Sequence, residues 1–292
     1  MHEIDYLIKK AGEYETQSKL LHATQIYMNI ISNNPGHSVT NIKLADLYDR
    51  MGNPSSAILL LTNFLAENPD DLEVRLFLGQ LFVNHSMWND ATEILSEILP
   101  EKQPLAAFLS GYACFMNKEF DLAEINFNNF IASSSNVEFN GEAYLYLAKI
   151  YLNQEKFDEA LEASSKAERI LNINWEIQLI NAVINYQKGM YLHALAFIDK
   201  ALKLNTAEPS LKEWAGKIHF KLADFVNAEK YFLDVIKNSE PTANTYSYLG
   251  LVCLGSNKNR EAVKYFNKAL NLDPNNVMAL DGKQKCQMKK TK

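Results

Sequence analysis

A small residue returns along this chain at a nearly fixed interval. Ala23, Ala57, Ala91, Ala123, Ala160, Ala194, Ala228 and Ala262 are separated by 34, 34, 32, 37, 34, 34 and 34 residues. Twelve positions before each stands a second small residue: Ala11, Ala45, Gly79, Gly111, Ala148, Ala182, Gly216 and Gly250. A period of this length marks stacked supersecondary units, each too small to bury its own apolar face. The two columns have a steric meaning. Each unit reads as two helices joined by a tight turn, and a small side chain on each lets the backbones approach. A larger one overpacks the crossing, at a cost of about 1–3 kcal/mol.

Other columns keep the helical phase. Four residues after each alanine come Tyr27, Leu61, Leu95, Phe127, Ser164, Ile198, Phe232 and Phe266. Seven after it come Ile30, Phe64, Ile98, Phe130, Ala167, Ala201, Val235 and Ala269. Residues at i, i+4 and i+7 form one face of an α-helix. Three residues after the first small position stand Tyr14, Tyr48, Phe82, Cys114, Tyr151, Asn185, His219 and Cys253. Pro35, Pro69, Pro104, Pro209, Pro241 and Pro274 fall between units, where one helix stops and the next begins.

The pattern resembles the tetratricopeptide repeat family, most fully in the last unit: Tyr246, Leu249-Gly250, Ala262, Phe266, Ala269 and Asp273-Pro274. The resemblance covers residues 4–276. It implies an all-α fold, a right-handed α-solenoid (superhelix) of about eight helix-turn-helix hairpins. Their limits are approximately 4–37, 38–71, 72–103, 104–140, 141–174, 175–208, 209–242 and 243–276. Residues 277–292 are expected to form a capping helix and a Lys-rich tail. A single solenoid over 1–292 is the expectation. The register breaks once, at residues 133–140, which read as a loop able to bend the stack into two four-repeat halves. Lys10 replaces the usual leucine of the first helix, as suits a solvated edge.

Charge and composition narrow the function. The chain is 47% hydrophobic and 22% charged, ordinary soluble usage. Its net charge is −6, and the lysines at 283, 285, 289, 290 and 292 make the remainder more acidic still. An acidic body does not track a phosphate backbone, so no nucleic-acid partner is expected. The 34-residue period also counts against the related pentatricopeptide class, which binds RNA. The Lys-rich tail reads as a solvated helix end. No stretch approaches the roughly 18 apolar residues of a membrane span. The start, Met1-His2-Glu3-Ile4-Asp5, has no signal-peptide pattern, and Cys114, Cys253 and Cys286 offer no disulfide framework. The cytoplasm is therefore the expected compartment.

Catalysis needs convergent groups. The six histidines occupy separate positions of the repeat, and His219 replaces a core tyrosine. Cys114 and Cys253 share that core column and read as small buried hydrophobes with nothing basic beside them. No phosphate loop, metalloprotease, nucleophile-elbow or calcium-loop motif is present. No catalytic, metal or cofactor site is expected, and the chain reads as a non-enzyme.

In the family the resemblance points to, the first helix of each repeat forms a concave inner wall, at its second, fifth, ninth and twelfth positions. Carried onto this chain, the middle repeats give an apolar groove of Leu76, Val83, Leu105, Phe108, Tyr112, Phe115, Leu145, Lys149, Leu152, Leu179, Val183, Tyr186, Lys217 and Phe220. An apolar stripe rimmed by charge suits another chain, with aromatic anchors dominating. The expected function is a non-catalytic scaffold or adaptor that holds a partner peptide or helix with apolar anchors along repeats three to six. A competing expectation is that these side chains pack on adjacent repeats. The alternative functions are a self-associating structural module (a homo-oligomer) or a regulatory subunit of a separate enzyme. The family's carboxylate clamp and asparagine ladder both lack their residues here: Gly12 and Ile42 stand at clamp positions, and Phe77, Leu109 and Ile180 at ladder positions. Repeat six departs from the pattern, placing Gln178, Asn181 and Asn185 in slots that are usually apolar.

Overall fold

The computed structural model describes residues 2–288, and among these it contains seventeen α-helices and no strand. Lys289, Lys290 and Lys292 of the tail lie outside the described residues. The helices follow as hairpins: α1 (His2–Thr16) and α2 (Leu20–Asn33), α3 (Ser38–Arg50) and α4 (Pro54–Glu67), α5 (Leu72–Asn84) and α6 (Trp88–Ser96), α7 (Pro104–Met116) and α8 (Phe120–Ser133). Then come α9 (Val137–Asn153) and α10 (Phe157–Leu171), α11 (Trp175–Gln187) and α12 (Tyr191–Leu204), α13 (Pro209–Lys221) and α14 (Phe225–Asn238), α15 (Ala243–Gly255) and α16 (Asn259–Leu272). A last helix, α17 (Val277–Met288), closes the series. Pro54, Pro104 and Pro209 open their helices, where a missing N–H loses no bond.

The chain divides into two compact units, Met1–Tyr146 and Leu147–Lys292. The division falls inside α9. Residues 133–140 are not a long loop. Only 134–136 leave the helical state, because Ser134 Oγ accepts the Asn136 N–H at 3.1 Å and Asn136 Oδ1 accepts the Phe139 N–H at 3.2 Å. These two side chains start α9 four residues earlier than the register break suggests.

All eight turns inside the hairpins close in one way. Ser18, Gly52, Ser86, Lys118, Glu155, Gly189, Ala223 and Asn257 take positive φ, between 57° and 78°. Each is followed by a residue whose N–H reaches back five positions: Lys19 to Tyr14 O at 2.8 Å, Asp224 to His219 O at 2.9 Å and Lys258 to Cys253 O at 2.8 Å are examples. This left-handed cap satisfies carbonyls that a helix end otherwise leaves open.

The small columns work as steric reasoning requires, with one refinement. The small residue of the first helix receives the side chain four positions beyond the alanine of the second. A Cβ on Gly216 would lie 2.8 Å from Phe232 Cζ, and one on Gly250 would lie 2.5 Å from Phe266 Cε1. Gly79 abuts Leu95 and Gly111 abuts Phe127 in the same way. Tyr27, Leu61, Phe127, Ile198, Phe232 and Phe266 are all fully buried. In α17, Gly282 also abuts the Phe266 ring, where a Cβ would lie 2.5 Å from Cε1. The capping helix thus completes the last hairpin's core and does not merely shield it.

Candidate partner-binding surface

Within each unit the first helices of successive hairpins touch one another: α3 with α5 and α5 with α7, then α11 with α13, α13 with α15, and α15 with α17. Their outward-facing positions form a common face. What that face can bind depends on which side chains the packing leaves free.

In the first unit the packing claims most of them. Leu76 and Val83 are half-buried against the core around Leu78, Leu81 and Phe82. Leu105 is half-buried. The Phe108 ring meets Phe127 at 5.6 Å, Phe130 at 5.2 Å, Phe139 at 5.8 Å and Tyr146 at 6.2 Å, largely edge to face. Tyr112 lies between Trp88 (5.8 Å) and Tyr146 (5.5 Å), and Phe115 between Phe120 (5.9 Å) and Tyr146 (5.3 Å). Rings at these separations and tilts form a connected aromatic cluster. Phe108 is a packing residue of that cluster, and a partner would meet its margin.

Two residues of the expected groove are corrected outright. Leu145 and Val183 are 3% and 6% exposed, so both belong to the core and offer a ligand no surface. Their positions on the helix are those of an inner wall, but neighbouring elements cover them.

The second unit is more open. Lys149 pairs with Glu176, and Leu152 and Leu179 are half-buried. Tyr186 crosses Tyr191 at 5.5 Å and Trp214 at 5.4 Å. Lys217 bonds Glu213 at 2.9 Å and lies 4.6 Å above the Trp214 ring, which fixes its charge near the face. Beyond Phe220 the face opens into a cavity of about 690 Å3, walled by Phe220, Phe225, Leu251, Leu254, Gly255, Lys285 and Met288. Gly255 lets the Phe225 ring lie directly against α15, because a Cβ there would strike that ring at 2.6 Å. Lys285 stands at the rim, bonded to Asp281 at 2.6 Å.

The residues expected from sequence stop at Phe220, one wall of this cavity. Leu251 and Leu254 occupy the same inner positions one repeat later and could have been chosen on that ground. Lys285 and Met288 could not, since α17 lies beyond the last repeat. Their separation by three residues, one helical turn, is the signal that puts them on one side.

Each side-chain amide of repeat six makes a hydrogen bond, though Gln178 Oε1 has no partner among the described residues. Asn181 Oδ1 accepts from Ser164 Oγ at 2.8 Å, Asn185 Nδ2 donates to Asn181 O at 2.8 Å, and Gln178 Nε2 donates to Glu168 Oε1 at 2.8 Å. His219 is a hydrogen-bonded filler, with Nδ1 3.0 Å from Asp224 Oδ2 and its ring stacked on Tyr231.

Cys253 departs from the expectation that nothing basic adjoins it. Lys258 lies close by, as do Glu229 and Glu261, and these two acids and the thiol could together hold a metal ion. Burial, and then the two carboxylates, push the Cys253 thiol up to about 11, outweighing the lysine. Lys258 itself takes up Glu229, at 2.8 and 3.0 Å.

Comparison with known proteins agrees with this architecture. Two family models described as tetratricopeptide repeat match residues 50–113 and 243–276. A TPR repeat-containing protein of Methanocaldococcus jannaschii is 30% identical over 132 residues, 44% of this chain. That match spans only 22% of the relative's length. Among solved structures, a chain of the APC/C hetero-tetramer Cut9-Hcn1 superposes with a TM-score of 0.67 at 17% identity. The superposition covers 97% of this chain and 55% of the other. YrrB, described as a TPR protein with an unusual peptide-binding site, superposes with a TM-score of 0.50 at 17% identity, over 68% of this chain and 97% of its own. At these identities the likeness is one of fold. No helix among the described residues is long and apolar enough to cross a membrane. The fold is one used generally as a protein–protein interaction scaffold. With its helical hairpins and small-residue columns, the chain has the tetratricopeptide-repeat fold and matches that family's models over residues 50–113 and 243–276.

Proposed function

We propose that the chain is a non-catalytic scaffold that holds a partner peptide or helix against the face of its first helices. The observation that carries this is the cavity of about 690 Å3 beside Phe220, Leu251 and Leu254. It is apolar, it continues the inner positions of the repeat, and it has the size of a side-chain pocket for one or two anchors. One buried Leu or Phe contributes about 1.5–3 kcal/mol, so two or three anchors bring roughly micromolar affinity after the cost of association. Lys217 and Lys285 are already paired, with Glu213 and Asp281, so recognition rests on the apolar anchors.

A random peptide library selected on the full chain tests this reading. Wild type should enrich sequences with paired apolar anchors. Leu251→Glu and Met288→Glu should each lose them while keeping the wild-type helical circular dichroism. Peptides that bind these variants as well as wild type would overturn the assignment of the groove.

A further inference from the structure

Three ligand-bearing side chains converge where α14, α15 and α16 meet. Cys253 of α15 is fully buried, in the column that carries Tyr14, Tyr48, Phe82 and Tyr151 in other repeats. A cysteine is much shorter than those rings, so side chains of the flanking helices can reach it. Two do. Glu229 follows the repeat alanine of α14, and Glu261 precedes that of α16. The Cys253 Sγ and one carboxylate oxygen of each glutamate all lie within 4.8 Å of one another.

The thiol makes no hydrogen bond among the described residues. Cys114, in the same column of α7, is matched differently, since its Sγ accepts from Asn126 Nδ2 at 3.8 Å. Two carboxylates drawn to one point repel each other, so a cation belongs between them. Here it is the Lys258 ammonium, which donates to both Glu229 oxygens, at 2.8 and 3.0 Å, and acts on Glu261 and Cys253 as well. The Lys258 side chain is 43% exposed. An ion pair this open to water is weak, and the ammonium can leave it at little cost.

The donor set selects the ion. Calcium and magnesium take oxygen ligands and leave a thiol unused, while copper(I) takes sulfur and leaves the carboxylates. Zinc accepts both kinds in a tetrahedral arrangement. We propose that Cys253, Glu229 and Glu261 bind a divalent cation of the zinc type, with water as the fourth ligand. The ion takes the place of the Lys258 ammonium against Glu229, and the Cys253 proton leaves to solvent as the sulfur–metal bond forms. Bonds of about 2.3 Å to sulfur and about 2.1 Å to oxygen put tetrahedral donors about 3.6 Å apart. The donors therefore close in by roughly 1 Å, within the reach of two glutamate side chains. The ion enters from the carboxylate side, where Glu261 is exposed.

The test is a titration of the full, untagged chain with cobalt(II), which fills zinc sites and gives a near-ultraviolet charge-transfer band only when a thiolate binds it. We expect that band to saturate at one equivalent and to vanish when zinc is added. Cys253→Ala should abolish it. Glu261→Gln, at an exposed position that leaves the core intact, should weaken binding about tenfold or more. Lys258→Met gives the opposite sign. Binding adds two charges and releases one proton, so the site gains one positive charge, which the ammonium opposes. Removing it also frees Glu229, and affinity should rise about fivefold. The proposal is overturned if no band forms at up to roughly 1 mM cobalt. It is also overturned if the band survives Cys253→Ala, which assigns it to another thiol, if Glu261→Gln binds like wild type, or if Lys258→Met binds more weakly.

Discussion

Ser164 on α10 donates its hydroxyl to Asn181 Oδ1 on α11 at 2.8 Å, with both side chains shut off from solvent. Serine stands where most repeats carry a large apolar residue, and asparagine where an apolar residue is usual. Each substitution makes sense only in the presence of the other. Ser164→Ala strands the Asn181 carbonyl and should cost about 1–3 kcal/mol. Pairing it with Asn181→Leu should cost much less than the sum of the two single changes. Urea midpoints of the wild type, both single variants and the double variant measure this coupling. Strict additivity would show that the bond contributes nothing beyond its two ends.

The positive-φ residues of the eight turns make a second prediction. Only two of the eight are glycine, Gly52 and Gly189. An L-residue with a Cβ is disfavoured in this region by about 1–2 kcal/mol. Ala223, with φ 58°, has no polar side chain to compensate. Ala223→Gly should therefore raise the thermal midpoint, while Gly189→Ala should lower it. A null or opposite shift at both sites would mean that the turns are not held in this conformation in solution.

These turns show why the fold is legible and some of its joints are not. The alanine column is visible because steric closeness admits only small residues. The left-handed column lies five residues before it, with the same spacings, yet it reads Ser, Gly, Ser, Lys, Glu, Gly, Ala and Asn. A backbone hydrogen bond shapes that position, and it leaves little mark on residue type. The candidate site is legible to the same limited degree. Helical phase places Phe108, Val183 and Phe220 on the inner side of their helices, but phase does not say whether a neighbour or water claims them. Val183 is covered, Phe108 is locked among rings, and Phe220 borders a cavity. The difference arises from the residues of adjacent elements, α17 among them.

Phe108 and Met288 should accordingly respond in opposite ways to charge. Phe108→Glu puts a carboxylate among four aromatic rings 5.2–6.2 Å away and should destabilise the first unit by about 2 kcal/mol or more. Met288 is 57% exposed, and Met288→Glu should leave stability unchanged within about 0.5 kcal/mol. Far-ultraviolet dichroism followed through a urea titration separates the two. A Phe108→Glu variant as stable as wild type would show that the ring cluster is not structural.

High pH should loosen both units, through two phenols. The Tyr27 hydroxyl donates to Glu15 Oε1 at 2.7 Å, and Arg50 also pairs with that carboxylate. Burial, and then the bond to Glu15, hold the Tyr27 pKa above its usual value of 10.0. Burial, and then the neighbouring Tyr248, do the same for Tyr186. In the unfolded chain both titrate near 10. Below about pH 10 the folded and unfolded forms hold these protons equally, and the phenols' contribution to stability is fully present. Above it the unfolded chain releases protons that the folded chain retains, so stability falls as pH rises towards the folded values. The urea midpoint should stay level up to about pH 9.5 with respect to these groups and then decline. Tyr27→Phe should make that decline shallower, and adding Tyr186→Phe shallower again. Tyrosinate absorbance gives an independent reading: two phenols should ionise only together with loss of helical signal. If all tyrosines ionise while the helices remain intact, Tyr27 and Tyr186 do not guard the folded state.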